Sequence, residues 1–314
     1  MEPKTTPDKK ADKEDSRHRF ASVAMNARFE MVIAEGEAEY ARQASQAAFR
    51  ELDQAEESLS YFLPSSDISR INNLEPGDWA KVDTYTMDCL KVAAKVSRET
   101  GGAFDPTIRN ILEIWKPRGR EETVKPKAEE LAAARALTGI QLLIIDEDEY
   151  AVGVKKKGVK LDLGAIGKGF GLDLMGGTLR EWELERAMCH GAWSTALALE
   201  PPPDEKGWAM AIGNPEGKTL ETLRISGRAI SRSGQEYGAH IFDPRNGLPA
   251  EGKMGAWALT SSGTEADALS TAFLVMSIEE IEAYCKKRKD VGALLLIEKN
   301  KKREVFKFNW PKGS

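Results

Sequence analysis

The stretch that most constrains the fold is residues 160–170, KLDLGAIGKGF. It predicts a strand that ends at Leu163, a glycine turn, and a helix that runs toward Arg180. Its glycines let a backbone approach a ligand closely, because no Cβ stands in the way. The start of the helix favours an anion, while Lys168 adds a cation and Asp162 a carboxylate. A pyrophosphate held with a metal suits this turn, but from this stretch alone a connection whose glycines serve packing is the better explanation.

Composition excludes several classes of protein. The chain has 314 residues, 41% of them hydrophobic, so it can bury a sizeable core as one large domain or two ordinary ones. A net charge of -5 leaves no basic surface for nucleic acid, and no apolar run approaches the roughly 18 residues of a membrane helix. With three histidines and no C-x-x-C pair, any metal must be held mainly by oxygen, which favours magnesium or calcium.

The domain prediction separates residues 1–20 from the rest. This segment alternates charges with almost no apolar residue, which predicts a disordered tail. Residues 21–314 are predicted to form a single domain or two intertwined subdomains. The tail has neither the apolar core of a signal peptide nor a lipid-attachment cysteine. As written, the chain is therefore expected in the cytoplasm, unless a leader was removed.

Hydrophobic periodicity predicts an α+β fold. Apolar positions spaced by three or four predict amphipathic helices over 37–59 and 84–100, and a further helix is predicted over 265–276. Alternation predicts a half-buried strand over 28–34. Strands and helices follow one another without strict βαβ alternation, which favours α+β over a doubly wound sheet.

A candidate metal site lies in the predicted helix over 265–276. Asp267 and Thr271 stand four residues apart, so a helix places the carboxylate and the hydroxyl on one face. That pair is half of a Mg²⁺ site with room for phosphate oxygens. Thr264 and Asp267 also fit a helix capping box, and local sequence alone favours this cap.

The loop over 240–249 is a candidate catalytic segment. His240 could take a proton from a hydroxyl nucleophile at neutral pH. The alternative is a structural turn that Asp243 begins and in which Arg245 pairs nearby; the sequence leaves both open.

Aromatic and apolar candidates are harder to assign from local sequence. Phe104, just past a helix end and next to Asp105, could pack on a flat ring, although such an aromatic is more often core. The same holds for Phe62 and Met25, and His190 in its apolar strand is better explained as a core histidine.

Taken in order, five segments resemble the ApbE-like FAD:protein FMN transferases. They are residues 64–72 (PSSDISRIN), 100–107 (TGGAFDPT), 162–169 (DLGAIGKG), 240–247 (HIFDPRNG) and 266–272 (ADALSTA). The chain departs from the usual family pattern at Phe62, which keeps a ring without the tyrosine hydroxyl, and at Trp193 in the turn over 191–195. The resemblance implies a T-fold-like α+β structure of mainly antiparallel sheets with packed helices.

The resemblance also implies an activity and a site. A magnesium-dependent transferase would cleave FAD, attach FMN by a phosphoester bond to a Thr or Ser of an acceptor flavoprotein, and release AMP. The implied metal ligands are Ala165, Asp267 and Thr271, and His240 is the implied base. The implied FAD contacts are Met25, Phe62, Ala103, Phe104, Asp105, Asp162, Lys168 and Ile241. The alternatives are an FAD pyrophosphatase and a flavin-binding protein without turnover.

Overall fold

The computed structural model describes residues 17–115, 124–213, 219–235, 240–299 and 302–312. Its strands are β1 (His18–Ala24), β2 (Ala27–Ile33), β3 (Trp79–Lys81), β4 (Leu143–Asp146), β5 (Ala151–Val154), β6 (Ala187–Gly191), β7 (Thr195–Ala198), β8 (Trp208–Gly213), β9 (Thr219–Ile225), β10 (Arg228–Gly234), β11 (Lys253–Thr260), β12 (Gly292–Lys299) and β13 (Lys302–Phe308). Its helices are α1 (Ala38–Leu59), α2 (Asp67–Ile71), α3 (Thr84–Glu99), α4 (Arg109–Trp115), α5 (Ala128–Arg135), α6 (Gly167–Glu181), α7 (Gly263–Val275) and α8 (Ile278–Lys287).

Three sheets organise these strands. The largest has eight strands in the order β1-β2-β6-β7-β10-β11-β12-β13, and every neighbouring pair in it is antiparallel. A second sheet has the order β3-β5-β4, and β8 pairs with β9 in a two-stranded ribbon. The helices pack on antiparallel sheets, so the α+β prediction is confirmed.

The core lies on both faces of the large sheet. Helices α6 and α7 pack side by side on one face, where α6 meets β6 and β7 and α7 meets β10 and β11. The β8–β9 ribbon covers the other face with Trp208, Ile212, Leu223 and Ile225, which pack on Ile230 and Trp257 among others. The large sheet is therefore sandwiched between a helical layer and a ribbon.

Close contact between α6 and α7 depends on Gly169. A Cβ at this position would stand 2.0 Å from the carbonyl oxygen of Gly263 and 2.8 Å from the Cβ of Asp267. Packing is therefore the right explanation for this glycine. Gly164 differs, because it lies in the turn before α6, where its N–H donates to the Asp162 carboxylate at 2.8 Å.

The predicted helices and the predicted strand over 28–34 are present as α1, α3, α7 and β2, and the helix after the glycine turn is α6. The strand predicted to end at Leu163 is wrong. This segment makes a single bridge between Ile108 and Lys160, because residues 161–163 serve other contacts, such as the N–H of Leu161 to Asn72.

The predicted tail over 1–20 falls mostly on residues 1–16, which lie outside the described residues. Its last three residues belong to β1, which starts at His18 and pairs along its length with β2. Alternating exposure along β1 explains this correction, since every second side chain turns toward the protein. None of the helices in the described parts of the chain combines the length and apolar character that crossing a bilayer requires.

Candidate functional site

A cavity of about 370 Å³ opens between the turn before α6, the start of α7, the end of β10 and the loop that follows α3. Ten of the twelve predicted site residues line it: Ala103, Phe104, Asp105, Asp162, Ala165, Lys168, His240, Ile241, Asp267 and Thr271. These residues come from four separate segments of the chain. The fold thus brings the predicted site together, while the role of each residue stays a prediction.

Asp267 does not cap its helix. Ser262 is the N-cap of α7, and its Oγ accepts the N–H of Glu265 at 3.2 Å. Asp173, on α6, accepts the N–H groups of Gly263 and Thr264 at 2.6 and 2.9 Å. The capping-box explanation is wrong because the helix begins before Thr264, and the Asp267 side chain turns to the cavity instead.

The Asp267 carboxylate is 3% exposed and is surrounded by donors. Its Oδ1 accepts the hydroxyl of Ser231 at 3.0 Å and that of Thr195 at 3.3 Å. Its Oδ2 accepts the N–H of Gly169 at 3.1 Å and lies 3.6 Å from Lys168 Nζ. These contacts offset the cost of burying a carboxylate and fix its direction.

The surroundings of Asp267 fit a hard cation with oxygen ligands. Thr271 lies one turn further along α7, and its Oγ1 is 3.1 Å from Ser233 Oγ. Ala165 lies on the wall of the same cavity. Among the described residues, no three His, Cys, Asp or Glu side chains gather into a metal cluster. One carboxylate, one hydroxyl and a backbone carbonyl suit Mg²⁺, which keeps waters and phosphate oxygens as its other ligands.

The two other carboxylates of the cavity are already engaged. Asp162 Oδ2 accepts Nη1 of Arg109 at 3.0 Å, and the Arg109 guanidinium lies 3.9 Å from the centre of the Tyr61 ring. Burial opposes the charge of Arg109, but the bond to Asp162 leaves its pKa raised. Asp105 is buried and accepts the Ser97 hydroxyl at 3.0 Å and the Ile140 N–H at 2.8 Å. Asp105 therefore ties its loop to neighbouring elements.

The segment 240–245 divides into two parts. His240 is half-buried and lines the cavity. Further along, Arg245 donates both its N–H and its Nε to Oδ1 of Asp243, each at 2.9 Å. The structural-turn alternative is therefore right for Asp243 and Arg245, and the histidine is the one titratable group that this segment presents to the cavity.

Two predicted contacts lie outside the cavity lining. The Met25 N–H donates to Glu56 Oε2 at 2.8 Å, and its sulfur would stand 3.9 Å from a Cβ at Gly167, beside the first turn of α6. Phe62 is 77% exposed and packs edge-on against Tyr61, with ring centres 5.3 Å apart. Met25 thus packs beside the turn, and the Phe62 ring faces outward.

Strand β10 and the turn before β7 contribute residues that were not among the predicted site residues. Ser231 contacts Asp267 and Ser233 contacts Thr271, and Ser233, Arg232 and Ser194 line the cavity. The signal was present, because residues two apart on a strand share a face. What was missing was the knowledge that β10 lies under α7.

Fold and cavity together define a class: α+β proteins with a cavity where two helices meet the central strands of an antiparallel sheet. The chain belongs to the ApbE family, whose sequence model matches residues 25–295. The FAD:protein FMN transferase of Vibrio cholerae is 27% identical over 245 residues, covering 73% of this chain and 72% of that relative.

Solved structures agree on the fold. The apo form of the Pseudomonas stutzeri flavinyl transferase ApbE superposes with a TM-score of 0.82 at 25% identity, covering 94% of this chain and 98% of that one. The flavin transferase ApbE from Vibrio cholerae gives a TM-score of 0.81 at 24% identity, covering 93% and 97%. The arrangement of sheets and helices is therefore that of the family.

Proposed function

We propose that this chain is a magnesium-dependent FAD:protein FMN transferase. It cleaves FAD at the pyrophosphate, transfers FMN to a Thr or Ser hydroxyl of an acceptor flavoprotein, and releases AMP. Relatives that carry this activity in their names support the reaction. The single observation that carries the proposal is the convergence of Ala165, Asp267 and Thr271 with His240 and Lys168 on one cavity.

The residues divide the work of phosphoryl transfer. Asp267, Thr271 and the Ala165 carbonyl would hold Mg²⁺, which, when bound, neutralises charge on the phosphates. The Nζ of Lys168 stands 3.6 Å from Asp267 Oδ2. It would place a second positive charge beside the phosphate oxygens. The low-dielectric walls around them, including the buried Phe104, strengthen both effects.

His240 acts as the general base. The acceptor hydroxyl oxygen forms a bond to the phosphorus of the FMN half, and its proton passes to the imidazole. The bond from that phosphorus to the oxygen of the AMP half breaks, and AMP leaves with the bonding electrons. A hydroxyl nucleophile needs one base placed beside it, and His240 is the histidine that lines the cavity.

One incubation tests the proposal. The protein is mixed with FAD and Mg²⁺, with and without a protein substrate of the Vibrio cholerae relative, and AMP and acceptor mass are followed. We expect AMP release together with an acceptor heavier by one FMN. AMP with free FMN would identify an FAD pyrophosphatase, and bound FAD without AMP would identify a flavin-binding protein without turnover.

A further inference from the structure

A second cavity, of about 450 Å³, lies on the opposite face of the large sheet, between that sheet and the β8–β9 ribbon. It is lined by His190, Trp193, Ser194, Thr195, Ala196, Met210, Ala211, Ile212, Gly213, Ile230, Arg232 and Trp257. This described lining holds one guanidinium and no carboxylate. It therefore favours electron-rich groups such as carbonyl or carboxylate oxygens among apolar side chains.

One wall of the second cavity is the edge of a strand. Four consecutive residues of β8, from Met210 to Gly213, line it. Successive side chains of a strand point to opposite faces, so a wall that includes all four contains the edge itself. Within the described ranges β8 pairs with β9 alone. An edge without a partner strand presents N–H and C=O groups that an extended chain can bind.

The second cavity adjoins the first. Ser194 and Arg232 line both, and the N–H of Arg232 donates to the Ser194 carbonyl at 2.8 Å. The Arg232 guanidinium lies 5.1 Å from the centre of the Trp257 ring. Ser194 and Arg232 therefore form the border between the two cavities.

The rim carries an exposed aromatic side chain. Trp193 is 84% exposed and stands in the tight turn between β6 and β7, where Ala192 and Trp193 have φ of 49° and 60°. Two consecutive residues with a Cβ rarely adopt this region. The turn holds the indole at the mouth of the second cavity and outside the lining of the first.

We propose that the second cavity receives an extended segment of the acceptor protein, which pairs with the edge of β8 and brings its hydroxyl residue past Ser194 and Arg232 into the first cavity. The inference rests on the proposed transferase function. A polypeptide is the occupant that a strand edge recognises, because main-chain hydrogen bonds give the affinity and the pockets beside them select side chains. The transfer also needs two substrates to meet, and the two cavities meet at this border.

Ala211→Glu tests the inference with Ala209→Glu as its matched control. Both alanines are exposed on the same strand two residues apart, so they share a face, but only Ala211 is in the cavity lining. A carboxylate on a strand edge opposes pairing with a further strand. We expect Ala211→Glu to raise the KM for the acceptor on the order of tenfold, which corresponds to about 1.4 kcal/mol of binding. The control should keep the KM of the unsubstituted protein.

Two further readouts make the result specific. The KM for FAD, measured at a saturating concentration of acceptor, should be unchanged in both variants. In the unsubstituted protein, adding the acceptor, here a protein substrate of the Vibrio cholerae relative, should slow hydrogen exchange at 210–213.

Several outcomes would overturn the inference. Equal effects of the two substitutions, or no effect of either, would show that the acceptor docks elsewhere. A rise in the KM for FAD in Ala211→Glu alone would assign the cavity to FAD. If the unsubstituted protein releases AMP but never labels the acceptor, the transferase function itself fails, and the inference fails with it.

Discussion

Asp267→Asn separates the chemistry of the first cavity from the stability of the fold. The amide keeps the shape of the side chain and removes its charge. Its oxygen can still accept the Gly169 N–H, and the Ser231 and Thr195 hydroxyls can rotate to accept from its nitrogen. The lost charge-assisted bonds and the weakened pairing with Lys168 then destabilise the protein by about 1–2 kcal/mol. We expect Tm to fall by a few degrees.

Turnover should fall much further than stability. The substitution removes the only carboxylate of the proposed Mg²⁺ site, so AMP release should drop on the order of 10²–10³-fold, as when one electrostatic contact to a transition state is lost. AMP release from FAD, followed by chromatography over a range of Mg²⁺ concentrations, measures this loss. The residual activity should need more Mg²⁺ for half its maximum.

Asp173→Asn is the matched control. Asp173 also joins α6 to α7, and it accepts two backbone N–H groups and the hydroxyls of Ser262 and Thr264. An amide nitrogen turned toward these donors costs about 1–3 kcal/mol, so Tm should fall at least as far as in Asp267→Asn. AMP release per folded molecule should persist. Normal Mg²⁺-dependent turnover in Asp267→Asn, or equal losses in both variants, would refute the assignment of Asp267.

Three other predictions concern a base, a helix contact and a half-buried imidazole. His240→Ala should slow FMN transfer far more than it weakens FAD binding, measured by rapid mixing and by titration; comparable losses in both would indicate a structural role. Gly169→Ala should lower Tm by several degrees because its Cβ meets the carbonyl oxygen of Gly263, whereas Gly177→Ala, with no atom within 4 Å of the added Cβ, should stabilise α6 by about 0.5–1 kcal/mol. Burial lowers the pKa of His190 below its ordinary 6.5, so the unfolded chain binds a proton in a window where the folded chain does not. Its contribution to unfolding free energy is then greatest above pH 6.5 and decreases as the pH falls through that window. Denaturant unfolding at pH 8 and 5.5 should show a smaller pH dependence in His190→Asn, and an unchanged dependence would contradict this assignment.

The sequence predicted the parts of the fold that depend on local periodicity. Helices α1 and α3 were recognisable because their apolar side chains recur every three or four residues and stay on one face. The strand predicted to end at Leu163 failed because its apolar alternation serves the core without pairing along its length. Alternation of apolar and polar residues indicates which side chains are buried, but it does not indicate which strand the backbone pairs with.

The site could be predicted as a set of residues but not as an arrangement. Thr264 was the predicted cap of α7, but Ser262 is the N-cap, and Asp173, which lies far away in the chain, accepts the N–H groups of Gly263 and Thr264. Ser231 and Ser233 were not predicted for the same reason. They contact Asp267 and Thr271 only because β10 packs against α7. The order of the segments predicted the site residues, and only long-range packing revealed which side chains contact them.

The hydrogen bond between Gly169 and Asp267 has a consequence for ligand binding. Gly169 and Asp267 are 98 positions apart in the chain, yet one hydrogen bond joins them. A cation or nucleotide that contacts both segments therefore binds the folded protein and not the denatured chain. Its binding raises the free energy of unfolding. Melting temperature then becomes a titration signal. Candidate metals and nucleotides can be ranked by the rise in melting temperature that each causes, before any product is assayed.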